Sequence, residues 1–304
     1  MSIRLAVHVG PHKTGSTSVQ RALVANRDRL VQAGVWYPPS LADAQFPDQH
    51  ADIAGLLIKD GVDSVSDWIL RTTREAAGLG CDTLLLSSEN FRAPLIRRQL
   101  RKVLCRYRRR TGGDTRLLYV RRDPRALARS QVMARLDGEL GFFFRERYDL
   151  RTWAADFFHQ QRREERFFTS EGALFLCLET TPPHALAAHL LRLATDKDFP
   201  FVETARNNVT ADRLAGPPAV MLAYGLRVMQ KVVEGRAIVG NNAAKAVPLV
   251  GEPAAAGYRE LLAAFEATLA TAIESGFADA ERETIWHYRW RLLRRHLQEV
   301  GRFW

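Results

Sequence analysis

The chain has 304 residues, 46% of them hydrophobic and 26% charged, with a formal net charge of +10. Such a length and apolar content support a sizeable packed core and exclude a disordered or fibrous chain. No run approaches the roughly 18 uncharged apolar residues of a membrane span, or the apolar stretch of a signal peptide. The positive excess implies a surface or cleft that meets anions, whether phosphates, sulfated sugars, nucleic acid or an acidic membrane face.

The first apolar run, residues 3–9, reads as a strand and is followed by a turn and a helical pattern over 16–33. That pattern carries Val19, Leu23, Leu30 and Val31 on one side and stops at Gly34. Residues 37–50, rich in Pro, Asp and Gln, read as a long loop, a class that often carries function. Further strands are expected at 83–88, 115–120 and 173–178, nearly continuous in apolar character, as in a parallel sheet covered on both faces. A strongly basic helix is expected over 92–110. Another is expected over 124–136, with Asp123 as N-cap and Pro124 at the first helical position. Past Asn208 the pattern turns helical at 212–234, 256–275 and 281–300, with a Gly/Pro/Asn-marked loop at 235–257. The expectation is an α/β fold, a parallel β-sheet flanked by helices, in one domain over 1–304. Its α/β core covers 1–210 and a mainly helical extension covers 211–304.

Cys81, Cys105 and Cys177 are odd in number and widely spaced, which reads as free thiols in a reducing, cytoplasmic setting. No Cys/His spacing suggests a metal site.

The most informative segment is Gly10-Pro11-His12-Lys13-Thr14-Gly15-Ser16-Thr17-Ser18, between the first strand and first helix. A glycine- and hydroxyl-rich turn into a helix lets successive backbone N–H groups surround an anion, and the helix N-terminus adds partial positive charge. Lys13 adds a full charge. An ATP-type phosphate loop places its lysine after the second glycine. Here the lysine precedes Gly15, so that motif does not fit. A second candidate is Leu117-Leu118-Tyr119-Val120-Arg121-Arg122-Asp123-Pro124, with Ser130 in the helix that follows. An arginine at a strand end can grip a phosphate with its planar fork, and a serine further on can add a hydroxyl. Arg122 takes that position by spacing, with Arg121 as the offset competitor.

Lys13-Thr14-Gly15-Ser16-Thr17 after an N-terminal strand resembles the 5′-phosphosulfate loop of the sulfotransferases that use PAPS (3′-phosphoadenosine 5′-phosphosulfate). The strand–Arg122-Asp123-Pro124–Ser130 arrangement resembles the 3′-phosphate motif of the same family. The likeness covers about residues 3–210, with specific motifs at 10–18 and 122–130 only. It implies a P-loop-like sulfotransferase fold and transfer of a sulfuryl group from PAPS to an acceptor hydroxyl, releasing PAP (adenosine 3′,5′-bisphosphate) without a metal. Lys13 would act on the bridging oxygen. Lys13, Thr14, Gly15, Ser16, Thr17, Ser18, Arg122 and Ser130 would hold the donor.

The proton acceptor stays open at this level. Glu89, at the expected C-terminal end of the 83–88 strand, resembles the base of the heparan-type enzymes. His50 in the long loop and His12 beside Lys13 are rivals. A carbohydrate or glycolipid acceptor is the mild preference, since a glutamate base resembles the carbohydrate-modifying branch. The basic 92–110 helix and the aromatic, arginine-rich 286–304 stretch read as a solvated face and a self-docking helix, ahead of nucleic-acid or membrane contacts. Competing readings are a Mg²⁺-dependent kinase or nucleotide hydrolase, and a non-catalytic basic module for nucleic acid or lipid. The first has no convincing metal-binding aspartate, and the second leaves both phosphate motifs unexplained.

Overall fold

The computed structural model describes residues 2–41, 50–136, 150–201, 253–284, 287–288 and 290. They gather into two compact units, one of Met1–Asp123 with Glu164–Asn207 and the other of Pro124–Arg163 with Asn208–Trp304.

The first unit is built on five strands, β1 (Arg4–Val9), β2 (Val35–Trp36), β3 (Thr83–Ser87), β4 (Thr115–Arg121) and β5 (Leu174–Cys177). They form one sheet of order β2-β3-β1-β4-β5, and every neighbouring pair is parallel. The α/β expectation of a parallel sheet flanked by helices therefore holds. Alternation along each strand decides which face each side chain serves. Leu5, Val7 and Val9 of β1, Leu84 and Leu86 of β3, and Leu117 and Tyr119 of β4 pack on one side. Their partners there come from α3 (Ala51–Lys59), α4 (Gly61–Gly78) and α5 (Pro94–Thr111). Ala6, Leu85, Leu118 and Val120 face the other side. There they meet α1 (Ser16–Ala25), α2 (Arg27–Gln32) and α8 (Leu186–Thr195). Each large apolar side chain removed from water in this way contributes about 1.5–3 kcal/mol. The all-apolar strands follow from having helices on both faces.

The strands fall close to where the apolar runs put them, apart from the two-residue β2, whose edge position needs little sequence signal. The helix expected over 16–33 is two helices. It breaks at Asn26, whose Nδ2 donates to Ala22 O at 2.9 Å and so competes with the backbone ladder. Of the expected long loop, residues 37–41 and His50 are described, and 42–49 lie outside the described residues.

The second unit contains α6 (Pro124–Leu136), α7 (Leu150–Ser170, whose last turns belong to the first unit) and α9 (Pro253–Arg282). Phe265, Leu269 and Ile273 of α9, one turn apart, pack with Ala128 and Val132 of α6 and Ala154 and Phe158 of α7. The expected division at 210/211 differs from this grouping because the apolar stripes of α6 and α7 join the C-terminal helix. Helix α9 also runs through the 253–257 end of the expected loop. The expected helix 212–234, residues 235–252, and most of the expected helix 281–300 lie outside the described residues. Among the described residues no helix is long and apolar enough to cross a membrane.

A buried ion pair ties α5's approach to α7. Arg92 Nη1 donates to Glu164 Oε2 at 3.0 Å, and Tyr119 Oη donates to Glu164 Oε1 at 2.9 Å. The Glu164 side chain is only 8% exposed. Burial pushes its pKa up, against the pull of Arg92, Tyr119 and Arg97. Removing one partner of such a pair costs about 3–5 kcal/mol because the other charge is stranded. Urea unfolding of Arg92→Met is expected to show a loss of that size. The double change Arg92→Met with Glu164→Gln should recover part of it, and an unchanged midpoint in the single variant would refute the coupling.

Candidate functional site

β1 lies at the centre of the sheet, between β3 and β4, so the turns leaving these three strands stand side by side at one edge. In open α/β sheets this crevice beyond the strand C-termini is where ligands bind. The turn after β1 spans residues 10–15. It passes so close to β4 that a Cβ on Gly10 would lie 3.0 Å from Val120 O. Lys13 and Gly15 both have positive φ, 72° and 81°, so the backbone reverses twice within three residues. Thr14, buried between them, donates its Oγ1 hydrogen to Pro11 O at 2.7 Å and closes the turn.

Helix α1 starts directly from Gly15 and has no side-chain cap and no acidic residue in its first turn. Its first backbone bond is Val19 N to Gly15 O at 3.1 Å. The N–H groups of Ser16, Thr17 and Ser18 therefore precede the helical ladder, at the positive end of the helix dipole. Alternating left- and right-handed residues with N–H groups turned inward form the concavity that accommodates anions.

The second motif meets the first directly. Arg122, just beyond β4, donates from Nη1 to Lys13 O at 2.9 Å. Burial draws its pKa below the ordinary guanidinium value, while Glu179 and Asp123 oppose that shift. Arg121 points elsewhere, over the Phe175 ring at 5.5 Å and toward Glu165 at 3.8 Å. The two adjacent arginines thus turn to different neighbours, as alternation at a strand end requires. Glu179, beyond β5, accepts the Asp123 N–H at 2.8 Å and holds the start of the turn into α6. Ser130 is partly exposed on α6 and belongs to the other unit, so the expected Arg122–Ser130 pair joins residues of different units.

Glu89 opens the short 3₁₀ turn Glu89–Arg92 after β3, with Ser88 capping it by accepting the Asn90 N–H. Its carboxylate lies against the Lys13 turn, with Oε2 3.2 Å from His12 Nδ1, and it also hydrogen-bonds Ser16. Burial works to raise its pKa, but His12, His8 and Ser16 together outweigh burial and hold the carboxyl below its ordinary value. Glu89 is therefore an ionised, sheltered carboxylate at physiological pH.

His50, the rival base expected from the loop, is engaged by main-chain groups. It is buried, its Nε2 donates to Pro38 O at 3.0 Å, and its Nδ1 accepts the Ser87 N–H at 3.0 Å. With both ring nitrogens committed, it pins the segment after β2 to the end of β3. His8, expected to be a sheet residue, is one. Its Nδ1 lies 2.8 Å from Ser87 Oγ, which also accepts from Gln20 Nε2 at 3.1 Å. This His8–Ser87–Gln20 network beneath the turn has no signature in sequence spacing, because its three members come from different elements. Among the described residues no cluster of three or more His, Cys, Asp or Glu is arranged to hold a metal ion.

Burial pulls the pKa of both His8 and His50 down from 6.5 to about 4. Between these values the unfolded chain binds protons that the folded chain refuses. Stability is therefore full above pH 6.5 and falls as pH drops toward 4, by up to about 1.4 kcal/mol per pH unit for each residue. Denaturant titrations across this window should show the decline, with a shallower slope in His50→Gln. A flat profile would contradict the buried neutral state.

No family model matches the chain, and no curated protein matches it. Among solved structures it is similar to a sulfotransferase domain from the curacin biosynthetic pathway. The two share 12% sequence identity over 64% of this chain and 74% of that one, with a TM-score of 0.37. A likeness this distant carries no argument about function.

Proposed function

We propose that the chain is a sulfotransferase that moves the sulfuryl group of PAPS to an acceptor hydroxyl, with a carbohydrate or glycolipid acceptor preferred. The observation that carries this reading is the 2.9 Å bond from Arg122 Nη1 to Lys13 O. It brings a strand-end arginine beside the turn that in this reading holds the 5′ end of the donor, which supports a ligand carrying phosphate groups at both ends. A nucleoside triphosphate has no 3′-phosphate for such an arginine.

In this reading the N–H groups of Thr14, Gly15, Ser16, Thr17 and Ser18 receive the 5′-phosphosulfate, and Arg122 receives the 3′-phosphate. Charge-assisted hydrogen bonds of this kind are each worth about 1.5–3 kcal/mol. Sulfuryl transfer, like phosphoryl transfer, needs in-line positioning and stabilisation of charge on the leaving oxygen. Lys13 supplies that charge, and the Glu89–His12 pair supplies the route for the acceptor's proton.

Thermal melting with PAP and with ATP, each with and without Mg²⁺, tests the donor. Stabilisation by PAP that needs no metal is expected, whereas stabilisation by Mg·ATP alone would replace this reading with a kinase or nucleotide hydrolase. Arg122→Ala is expected to weaken PAP far more than adenosine 5′-phosphosulfate, and equal losses would show that it does not read the 3′-phosphate. Lys13→Ala should lower turnover by about 10²–10³, and near-normal turnover would remove it from the chemistry.

A further inference from the structure

We propose that Glu179 is a positioning residue for the 3′ end of the donor, holding the Arg122–Asp123 peptide so that the Arg122 guanidinium meets the 3′-phosphate. This deepens the sulfuryl-transfer reading and rests on it.

β1, β4 and β5 are consecutive in the sheet, so the residues just past their C-terminal ends are neighbours. Cys177, the last residue of β5, pairs with Arg121, the last of β4, and the Leu178 N–H donates to Arg121 O at 2.9 Å. That register carries Glu179 alongside Arg122 and Asp123. There Glu179 Oε1 accepts the Asp123 N–H at 2.8 Å, and Oε2 accepts from Cys177 Sγ at 3.3 Å. A glutamate on an exposed turn has several rotamers open to it. Here each oxygen has its own partner, one at either strand end, and the side chain is fixed between them.

The peptide that Glu179 holds also sets the direction of Arg122. Past the last ladder bond of a strand, a backbone N–H needs another partner to keep its orientation. Rotation of the 122–123 peptide would swing the arginine side chain away. With the Asp123 N–H on Glu179 and its own Nη1 on Lys13 O, Arg122 is held both at its backbone and at its head. The Lys13 carbonyl takes one of the five N–H donors of the guanidinium.

The charge of Glu179 plays a second part. Burial lowers the pKa of Arg122, and Glu179 opposes that more than Asp123 does. This support acts through space, with the carboxylate oxygens directed at Asp123 and Cys177. The same charge repels an incoming phosphate. The acceptor geometry of Glu179 and its charge therefore pull PAP affinity in opposite directions, and two substitutions separate them. Glu179→Gln keeps a carbonyl oxygen for the Asp123 N–H and removes the charge, whereas Glu179→Ala removes both.

The test is calorimetry on the full chain with PAP and with adenosine 5′-monophosphate, which carries the 5′-phosphate but no 3′-phosphate. The ratio of the two affinities reads the 3′ site alone. If the wild-type chain binds PAP no better than the monophosphate, the donor reading fails and the Glu179 assignment falls with it. If PAP binds better, Glu179→Ala should lower the ratio about tenfold, the worth of roughly one hydrogen bond. Glu179→Gln should keep the ratio within about threefold of wild type or raise it. Because Glu179 acts through Arg122, adding Glu179→Ala to Arg122→Ala should change the ratio by less than about threefold. An unchanged ratio in Glu179→Ala, including equal losses for both ligands, would overturn the assignment and leave Glu179 a structural cap. An equal fall in the Ala and Gln variants would overturn it too, by making charge rather than the held amide the cause. So would a further tenfold fall in the Arg122→Ala background.

Discussion

Lys13 holds a left-handed backbone conformation that costs a residue with a Cβ about 1–3 kcal/mol. It persists because its surroundings leave no better choice. Gly10 lets the turn press against β4, Thr14 closes it onto Pro11 O, and Arg122 takes the carbonyl that the inversion turns outward. Release any of these and the turn leading into α1 would lose a contact that holds its shape. Strain at this point is the means by which a strand, a helix and a neighbouring strand end are brought together at one turn.

The positive charge of the chain is distributed less evenly than its total implies. Much of the basic helix α5 is already paired. Arg106 and Arg110 meet Asp63 and Asp67 of α4, Arg101 meets Glu171, and Arg97 lies over the Phe167 ring. Such exposed pairs add little stability, but they lower the net field of this face and weaken its claim as a nucleic-acid footprint. Around the turn after β1 the balance differs. The first turn of α1 has no acidic residue, and the Glu89 carboxylate is matched by His12 and Ser16.

How far the site was legible depends on the range of each interaction. The residue types at 10–18 carry the turn by themselves, since glycine, small hydroxyls and a lysine in that order have a local conformational meaning. Spacing favours Arg122 over Arg121, and it is Arg122 that reaches the Lys13 carbonyl. The setting of His50 was not legible, because a histidine in a polar loop gives no sign that both of its nitrogens will be used by main-chain groups. The Glu89–His12 contact was equally invisible, because it depends on β1 and β3 pairing in register at His8 and Ser87. That pairing brings the two strand ends, and the residues just beyond them, together.

By itself the sequence determined the class of the fold and the place of the glycine- and hydroxyl-rich turn between its first strand and first helix. Apolar strands alternating with amphipathic helices admit few other packings, and the turn's conformation is a local property of its residues. Only the tertiary structure decided which side chains meet at that turn. Contacts such as Arg122 with Lys13, Glu89 with His12 and Glu179 with Asp123 join segments far apart in the chain, and their geometry is set by strand order and register. Neither can be read from composition or spacing, because both come from the packing of whole elements against one another.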